Sequence, residues 1–356
     1  MVPPHSAEMV RLLLNREVDA AIALAGQPAT DAIDKTVSCF VRAVILAYRG
    51  EAASAVKLIK EATSTDPNIR IHQVWPSILR RQGEMKMAVL WEAQLLEYVR
   101  HLNTDVFLIS YPKCGRTWLR YMLGLYLLGG RDGNPMDVYD ISLAEPDFAT
   151  IYVNHDDYPH WKPLAELETD KSKFADKKIL FLVRDPRDVL VSNYFQYTKR
   201  GDKEKANDTG FDGSIGDFID HEIGGLGNII QFYNIWARNR NVPRKFQCLT
   251  YEDLHQNTKD TLIEMIEYLG WPATDARKID DITARASFAN MQSQEKEDGG
   301  GEGFRMRASD IDDPESFKMR RGKIGGYGDY LSEMDVARMD EMIRGELDDY
   351  YHFYKR

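Results

Sequence analysis

An α/β domain built on a parallel sheet, preceded by an all-helical region of repeats, is the architecture this 356-residue sequence predicts. Two observations carry that expectation. From Asp105 onward, short apolar runs alternate with helix-length segments, the pattern of β-strands joined by crossover helices. Before it, residues 1–100 are helical by pattern and repeat about every 34 residues. The division is placed between residues 1–102 and 103–356.

The repeat is read from columns. Leu12, Leu46 and Leu79 share one, and Arg16, Gly50 and Gly83 another. Glu17, Glu51 and Glu84 form a third, Ala21, Ala55 and Ala88 a fourth, and Ile22, Val56 and Val89 a fifth. Arg16 to Gly50 is 34 residues and Gly50 to Gly83 is 33. A period near 34 with two helices per unit is that of tetratricopeptide (TPR) repeats. The middle copy fits best, through Gly50, Ala55, Ile59, Ala62 and Pro67. Its small residues let paired helices approach closely, and Pro67 is expected to end the second helix. Two or three repeats are too few for a free solenoid, so the region is expected to pack on the next domain. Docking of a protein partner, self-association and scaffolding all suit it.

In the second region the expected strands are 106–109, 150–153, 178–183 and 246–250, each short and apolar. Helices are expected over 115–128, 186–199, 214–222, 227–240, 258–269 and 333–347. Asp185 followed by Pro186 marks one start, an N-cap with proline at the first helical position. Ser293 to Glu315, with three successive glycines at 299–301, reads as a loop.

Composition bounds the function. A hydrophobic content of 43% suits a packed globular chain, and a net charge of −10 argues against a general nucleic-acid or anionic-membrane surface. An anionic ligand would need a local basic pocket. Cys39, Cys114 and Cys248 are few, odd in number and without metal-ligand spacing, so no metal and a reduced, cytoplasmic setting are expected. No apolar run approaches the roughly 18 residues that span a bilayer, and no membrane association is expected.

The chemistry concentrates in Ser110-Tyr111-Pro112-Lys113-Cys114-Gly115-Arg116-Thr117-Trp118. A strand precedes this stretch and an apolar helix follows it. Such a loop aims backbone N–H groups and a helix N-terminus at an anion. Lys113 adds a point charge, Gly115 permits close backbone approach, and Trp118 offers a flat face. The Walker order, with Lys after the second Gly, does not occur. Instead, Y-P-K-x-G-x-T-W resembles the 5′-phosphosulfate loop of sulfotransferases that use 3′-phosphoadenosine 5′-phosphosulfate (PAPS).

Further motifs extend that resemblance over residues 105–356. Arg184, at the end of a buried strand, and Ser192, eight positions later, match the family's 3′-phosphate pair. Arg320-Arg321-Gly322 resembles the C-terminal segment that closes over the same phosphate, although Gly326 and Tyr327 replace its acid and Trp. Tyr251-Glu252-Asp253 and Ser287-Phe288 with Met291 resemble the elements around adenine. His155 matches the family's catalytic His, with Val153 and Asn154 in place of the Lys and Thr before it. His160 is a competitor.

The resemblance implies a P-loop-like, three-layer α/β fold and sulfuryl transfer from PAPS to a hydroxyl or amine of a small molecule, leaving 3′,5′-adenosine diphosphate. It implies that His155 is the general base and that Lys113 and Ser192 assist departure of the diphosphate. The cofactor residues it implies are Tyr111 to Trp118, Arg184, Ser192, Tyr251, Ser287, Phe288, Arg320, Arg321 and Gly322. With Val153 at the family's lysine position, Lys113 and Arg116 are left to stabilise the sulfuryl charge. Asp156 and Asp157, beside the base, suggest a polyhydroxylated or cationic acceptor. With no membrane-length apolar run, a Golgi-anchored member is not expected. A small-molecule kinase and a TPR-type adaptor with a degenerate transferase domain are the alternatives.

Overall fold

The structure, a computed structural model, describes residues 4–15, 17–65, 87–200, 211–273, 275–297, 315, 317 and 320–355. Two compact units divide the chain, Met1–Thr104 and Asp105–Arg356. Among the described residues, no helix is long and apolar enough to cross a membrane.

The first unit is helical: α1 (Pro4–Leu14), α2 (Val18–Ala25), α3 (Ala32–Tyr48), α4 (Ala52–Thr65) and α5 (Met87–Asn103). Its first two repeat copies are helical hairpins. Glu17 and Glu51 stand immediately before α2 and α4, and Ala21 and Ala55, one turn in, are fully buried. Gly50 takes φ +80° in the α3–α4 turn, a conformation that favours glycine. Val56, in the fifth column, is 41% exposed. Pro67, Leu79, Gly83, Glu84 and Gly299 to Gly301 lie outside the described residues.

A buried acid ties α1 to the start of α3. Asp34 accepts hydrogen bonds from Ser6 Oγ at 2.6 Å, from the Thr30 amide at 2.9 Å and from His5 Nδ1 at 2.8 Å. Asp31 caps α3 by accepting the Asp34 amide at 2.8 Å.

The second unit opens with β1 (Val106–Ser110), α6 (Arg116–Leu128), α7 (Val138–Ala144), β2 (Ile151–Asn154) and β3 (Lys178–Val183). Next come α8 (Pro186–Phe195), α9 (Ile215–Phe218), α10 (Leu226–Arg238) and β4 (Lys245–Thr250). It ends with α11 (Tyr251–Gln256), α12 (Thr258–Leu269), α13 (Ala276–Arg285), α14 (Phe288–Glu297) and α15 (Glu333–Glu346). The four strands are parallel in the order β2-β1-β3-β4. β1 is buried throughout, and β3 in all but its first residue, as befits central strands covered by crossover helices.

Parallel pairing puts all four strand C-termini on one edge, where β1 is the switch point between β2 and β3. Ile109 pairs with Asn154, Ser110 with Leu182, and Val183 with Thr250.

The expected elements form, with corrections. The helix expected over 186–199 is α-helical only to Phe195 and continues as a π turn over Gln196–Arg200. The 214–222 helix shrinks to Ile215–Phe218, because Gly224 at φ +87° and Gly225 turn the chain there. Ser293 to Glu297, expected as loop, belong to α14. The short helices α7, α11 and α13 are additions.

Burial alone would raise the Asp34 pKa. The hydrogen bonds from Ser6, Thr30 and His5 override it and hold the group below its usual value. The native state therefore gains stability above the unfolded pKa, about 4, and loses it as pH falls through the lower folded value. Asp34→Ala is expected to cost about 1–3 kcal/mol at neutral pH and to flatten this acid dependence. Thermal unfolding by circular dichroism at pH 7 and pH 3 checks it; an unchanged transition at pH 7 would refute it.

Candidate active site

Every strand C-terminus at the shared edge delivers a candidate group. The loop 111–115 follows β1, His155 follows β2, Arg184 follows β3 and Tyr251 follows β4.

In the loop, Lys113 and Gly115 both adopt left-handed backbone, at φ +73° and +91°. A Cβ on Gly115 would lie 2.5 Å from the Tyr251 ring. Only glycine meets both conditions, and α6 starts at the next residue with its unpaired N–H groups at the loop. Lys113 Nζ donates to Gln196 Oε1 at 3.2 Å. Gln196 opens the π turn and stands four residues after Ser192, so the two share a helix face.

Two loop side chains face the core. The Tyr111 hydroxyl donates to Asn228 Oδ1 at 2.8 Å, so its side chain serves packing rather than a ligand. Cys114 is fully buried, 3.3 Å from the Tyr233 hydroxyl, and burial pushes its thiol up to about 12. Pro112 is buried, and Thr117 is partly buried on the first turn of α6.

Arg184 is the junction of the motifs. Its Nη1 donates to the Lys113 carbonyl at 3.4 Å and its Nη2 to the Lys323 carbonyl at 2.9 Å. The guanidinium lies 4.4 Å from the Tyr251 ring centroid, over its face, and 3.4 Å from Asp188. Burial acts to lower its pKa, but Asp188 overrides it and the net shift is upward. Asp188 also accepts the amides of Gly325 at 2.9 Å and Tyr327 at 3.0 Å, so it fastens the C-terminal glycine-rich segment beside Arg184.

Gly322, at φ +61°, packs its bare Cα on Phe288, where a Cβ would come within 2.6 Å of the ring. Arg320 pairs with Glu315 at 2.8 Å and lies over Phe195 and Tyr330, while Arg321 pairs with Asp329 at 3.0 Å. Both arginines thus stand against acids rather than beside Arg184.

Trp118 and Tyr251 meet edge to face, with centroids 6.1 Å apart and planes at 64°. They form adjoining walls rather than the two parallel faces of a stack. Trp118 Nε1 donates to the Ala286 carbonyl at 2.7 Å, which anchors the Ser287-Phe288 turn, and Ser287 Oγ accepts the Asn290 amide at 3.4 Å at the start of α14. Met291 is fully buried.

On the β2 side, His155 Nδ1 lies 2.9 Å from the Ser110 carbonyl and Nε2 lies 2.6 Å from Arg116 Nη2. The partners assign the tautomer. A carbonyl only accepts and a guanidinium only donates, so Nδ1 carries the proton and Nε2 presents its lone pair. Burial, and then the like charge of Arg120, bring the Arg116 pKa down to about 9.

Asp156 and Asp157 do not face an acceptor. Asp156 is buried against Lys171 at 2.6 Å and Lys173 at 3.1 Å, and Asp157 against Lys162 and the Glu168 amide. Burial would raise the Asp156 pKa; Lys171 and Lys173 instead hold it at about 2. Together with Tyr158 they form three successive left-handed residues, at φ +44°, +53° and +50°. That turn presents a parallel aromatic pair, Tyr158 and Trp161, with centroids 5.6 Å apart, 40% and 51% exposed. His160 bridges this pair to His155, 4.8 Å from Trp161 and 5.3 Å from His155.

A family model described as "Sulfotransferase domain" matches residues 103–351, well over half the chain. The chain belongs to the sulfotransferase family. Sulfotransferase 6B1 of Danio rerio is 23% identical over 288 residues, 76% of this chain and 88% of that protein. Flavonol 3-sulfotransferase of Flaveria bidentis is 24% identical over 266 residues, 68% and 81% of the two chains. A solved structure of mouse sulfotransferase SULT7A1 complexed with PAP aligns with TM-score 0.49 and 20% identity over 71% of this chain and 88% of that one. This sulfotransferase takes the sulfuryl group from PAPS. Its residues fit an anionic donor: Arg184 Nε and Arg116 Nη1 are buried N–H groups without a hydrogen-bond partner among the described residues, which anion oxygens would satisfy.

Gln196, Tyr233 and the Tyr158–Trp161 pair are site neighbours that motif reading passes over. Gln196 sits at i+4 from Ser192, so helical spacing was a signal for it.

Gly115→Ala is expected to push the Tyr251 ring aside and strain the loop by about 1–3 kcal/mol. The thermal shift that 3′,5′-adenosine diphosphate produces should then largely vanish; an undiminished shift would rule out this loop as the binding surface.

Proposed function

We propose that this sulfotransferase binds PAPS along the shared strand edge and transfers its sulfuryl group to a small-molecule hydroxyl or amine, with His155 as general base. One observation carries the assignment. His155 has its proton fixed on Nδ1 by the Ser110 carbonyl and its Nε2 lone pair beside the donor loop. That is the state a general base needs.

Lys113 and the loop amides stabilise the negative charge that develops on the bridging oxygen. Arg184, Ser192, Arg320, Arg321 and Gly322 hold the 3′-phosphate, the two C-terminal arginines exchanging their acids for it. Trp118, Tyr251, Ser287 and Phe288 surround the adenosine. In the transfer the acceptor proton moves to His155 Nε2 and the acceptor oxygen or nitrogen forms a bond to sulfur. The bond from sulfur to the phosphate oxygen breaks, and its electron pair leaves with 3′,5′-adenosine diphosphate. In-line positioning of donor and acceptor supplies much of the acceleration.

The buried aspartates favour an apolar rather than a cationic acceptor. The exposed Tyr158–Trp161 pair suits a flat molecule, and the flavonol-named relative supports this. The helical hairpins of residues 1–102 are a TPR-like domain for a protein partner or for self-association, and residues 103–356 are the transferase. Free Cys39, Cys114 and Cys248 accord with a reducing cytoplasm.

His155→Ala is expected to lose about 10²–10⁴-fold in transfer of labelled sulfate while still binding 3′,5′-adenosine diphosphate; full activity would sink the base assignment. Trp161→Ala is expected to raise the acceptor KM about tenfold and leave the PAPS KM unchanged, matching the loss of roughly 1–2 kcal/mol of aromatic contact. Equal effects on both substrates would place the pair elsewhere.

A further inference from the structure

The loop carries two cations, Lys113 and Arg116, and Arg116 contacts His155. Its side chain meets His155 through Nη2, at 2.6 Å from Nε2, while Nη1 is buried and makes no hydrogen bond. The groups that act most on its charge are Arg120, Tyr152, Tyr158 and Cys114, none of them a carboxylate. A partly buried guanidinium set against a second cation, with a buried N–H unsatisfied among the described residues, is poised for an anion. It stands at the first position of α6, a helix of 13 residues, where the unpaired amides favour the same charge.

The resting contact with His155 has a cost for catalysis. A lone pair that accepts an N–H from a guanidinium cannot accept an acceptor's proton at the same moment. Either the base is permanently engaged or Arg116 has somewhere else to go. The donor loop provides the destination, since Arg116 directly follows Gly115, and Val153 on the β2 side is apolar.

We propose that Arg116 is a latch between the base and the sulfuryl group. Without donor it holds His155 neutral and occupied. With donor it leaves Nε2 for the sulfuryl oxygens, frees the lone pair, and becomes the catalytic cation of the transfer. The acceptor proton then passes to Nε2 as its oxygen bonds to sulfur and the bond to the diphosphate breaks. Base activation is thereby tied to the arrival of the sulfuryl group and not of the nucleotide alone. This inference rests on the donor site and base proposed above.

The sign of its effect on His155 follows. An N–H donated to Nε2 favours the neutral imidazole, so the latched state resists protonation and release makes the ring more basic. The other groups facing this pair are Arg120 of α6, His160, Tyr152 of β2 and Tyr158, all of which remain through the exchange.

The test uses the full-length protein with ¹⁵N-labelled histidine, titrated by NMR, with His155 identified by its loss in His155→Gln. The wild type is measured alone, with 3′,5′-adenosine diphosphate, and with PAPS in the absence of acceptor; Arg116→Ala and Arg116→Lys are measured alone. The free and diphosphate-bound forms are expected to titrate together. The PAPS form and Arg116→Ala should titrate about one pH unit higher, a tenfold change in proton affinity. Turnover of Arg116→Ala should fall roughly 10²–10³-fold, with diphosphate binding kept. Arg116→Lys, which keeps the charge, should recover part of the rate.

If PAPS and the diphosphate bind but leave His155 titrating alike, the latch is wrong while the site reading stands. Equal losses of rate in both variants, with the His155 titration unmoved, also overturn it. If PAPS does not bind, the donor-site reading fails and the latch with it.

Discussion

Parallel strand register is the constraint on which the rest of the molecule depends. Because β2, β1, β3 and β4 all run one way, the residue after each strand emerges on one edge. Four chain segments separated by up to about 140 positions therefore meet without any of them needing a long loop. A one-residue slip of β2 against β1 would move Asn154 from opposite Ile109 and carry His155 away from the Ser110 carbonyl that sets its tautomer. The core secures that register: β1 and most of β3 are buried on both faces, so a slip exposes nothing useful and breaks every ladder bond.

Around that edge, buried charge does the positioning. Arg184 and Asp188 hold three segments together, the donor loop, β3 and the glycine-rich C-terminal segment. On the other side, Lys162, Lys171 and Lys173 hold Asp156 and Asp157 in a left-handed turn that would cost roughly 1–2 kcal/mol per residue on its own. Buried ion pairs are weak stabilisers after desolvation. Here their consequence is geometric: they keep a strained turn that brings His160 and the Tyr158–Trp161 pair to His155.

Much of this was legible in the sequence, and the boundary of legibility is physical. β3 and α12 match their expected spans because a continuous apolar run and a regular amphipathic period are local signals. The Asp185–Pro186 start is equally local, and Asp185 does accept the Arg187 amide. The π turn at Gln196 was not legible, because the apolar period runs on through it. Helix α7 is too short for a period to stand out. The Asp156 and Asp157 pairings escaped for another reason. Their lysines come from an irregular stretch of single 3₁₀ turns, and two acids beside a histidine look the same in sequence whether they face a ligand or the interior. The Arg116–His155 contact spans 39 positions and two elements, and only the register of β2 on β1 creates it.

The donor loop also carries a thiol, and its setting bears on how the protein meets oxidants. Cys114 is closed off from solvent, and its thiolate is disfavoured because burial pushes the group up to about 12. Peroxides and alkylating agents react with exposed thiolate, and here there is almost none. A cysteine in the middle of this strand-to-helix loop is thus a poor target for oxidants, and the loop's packing does not depend on a reactive thiol.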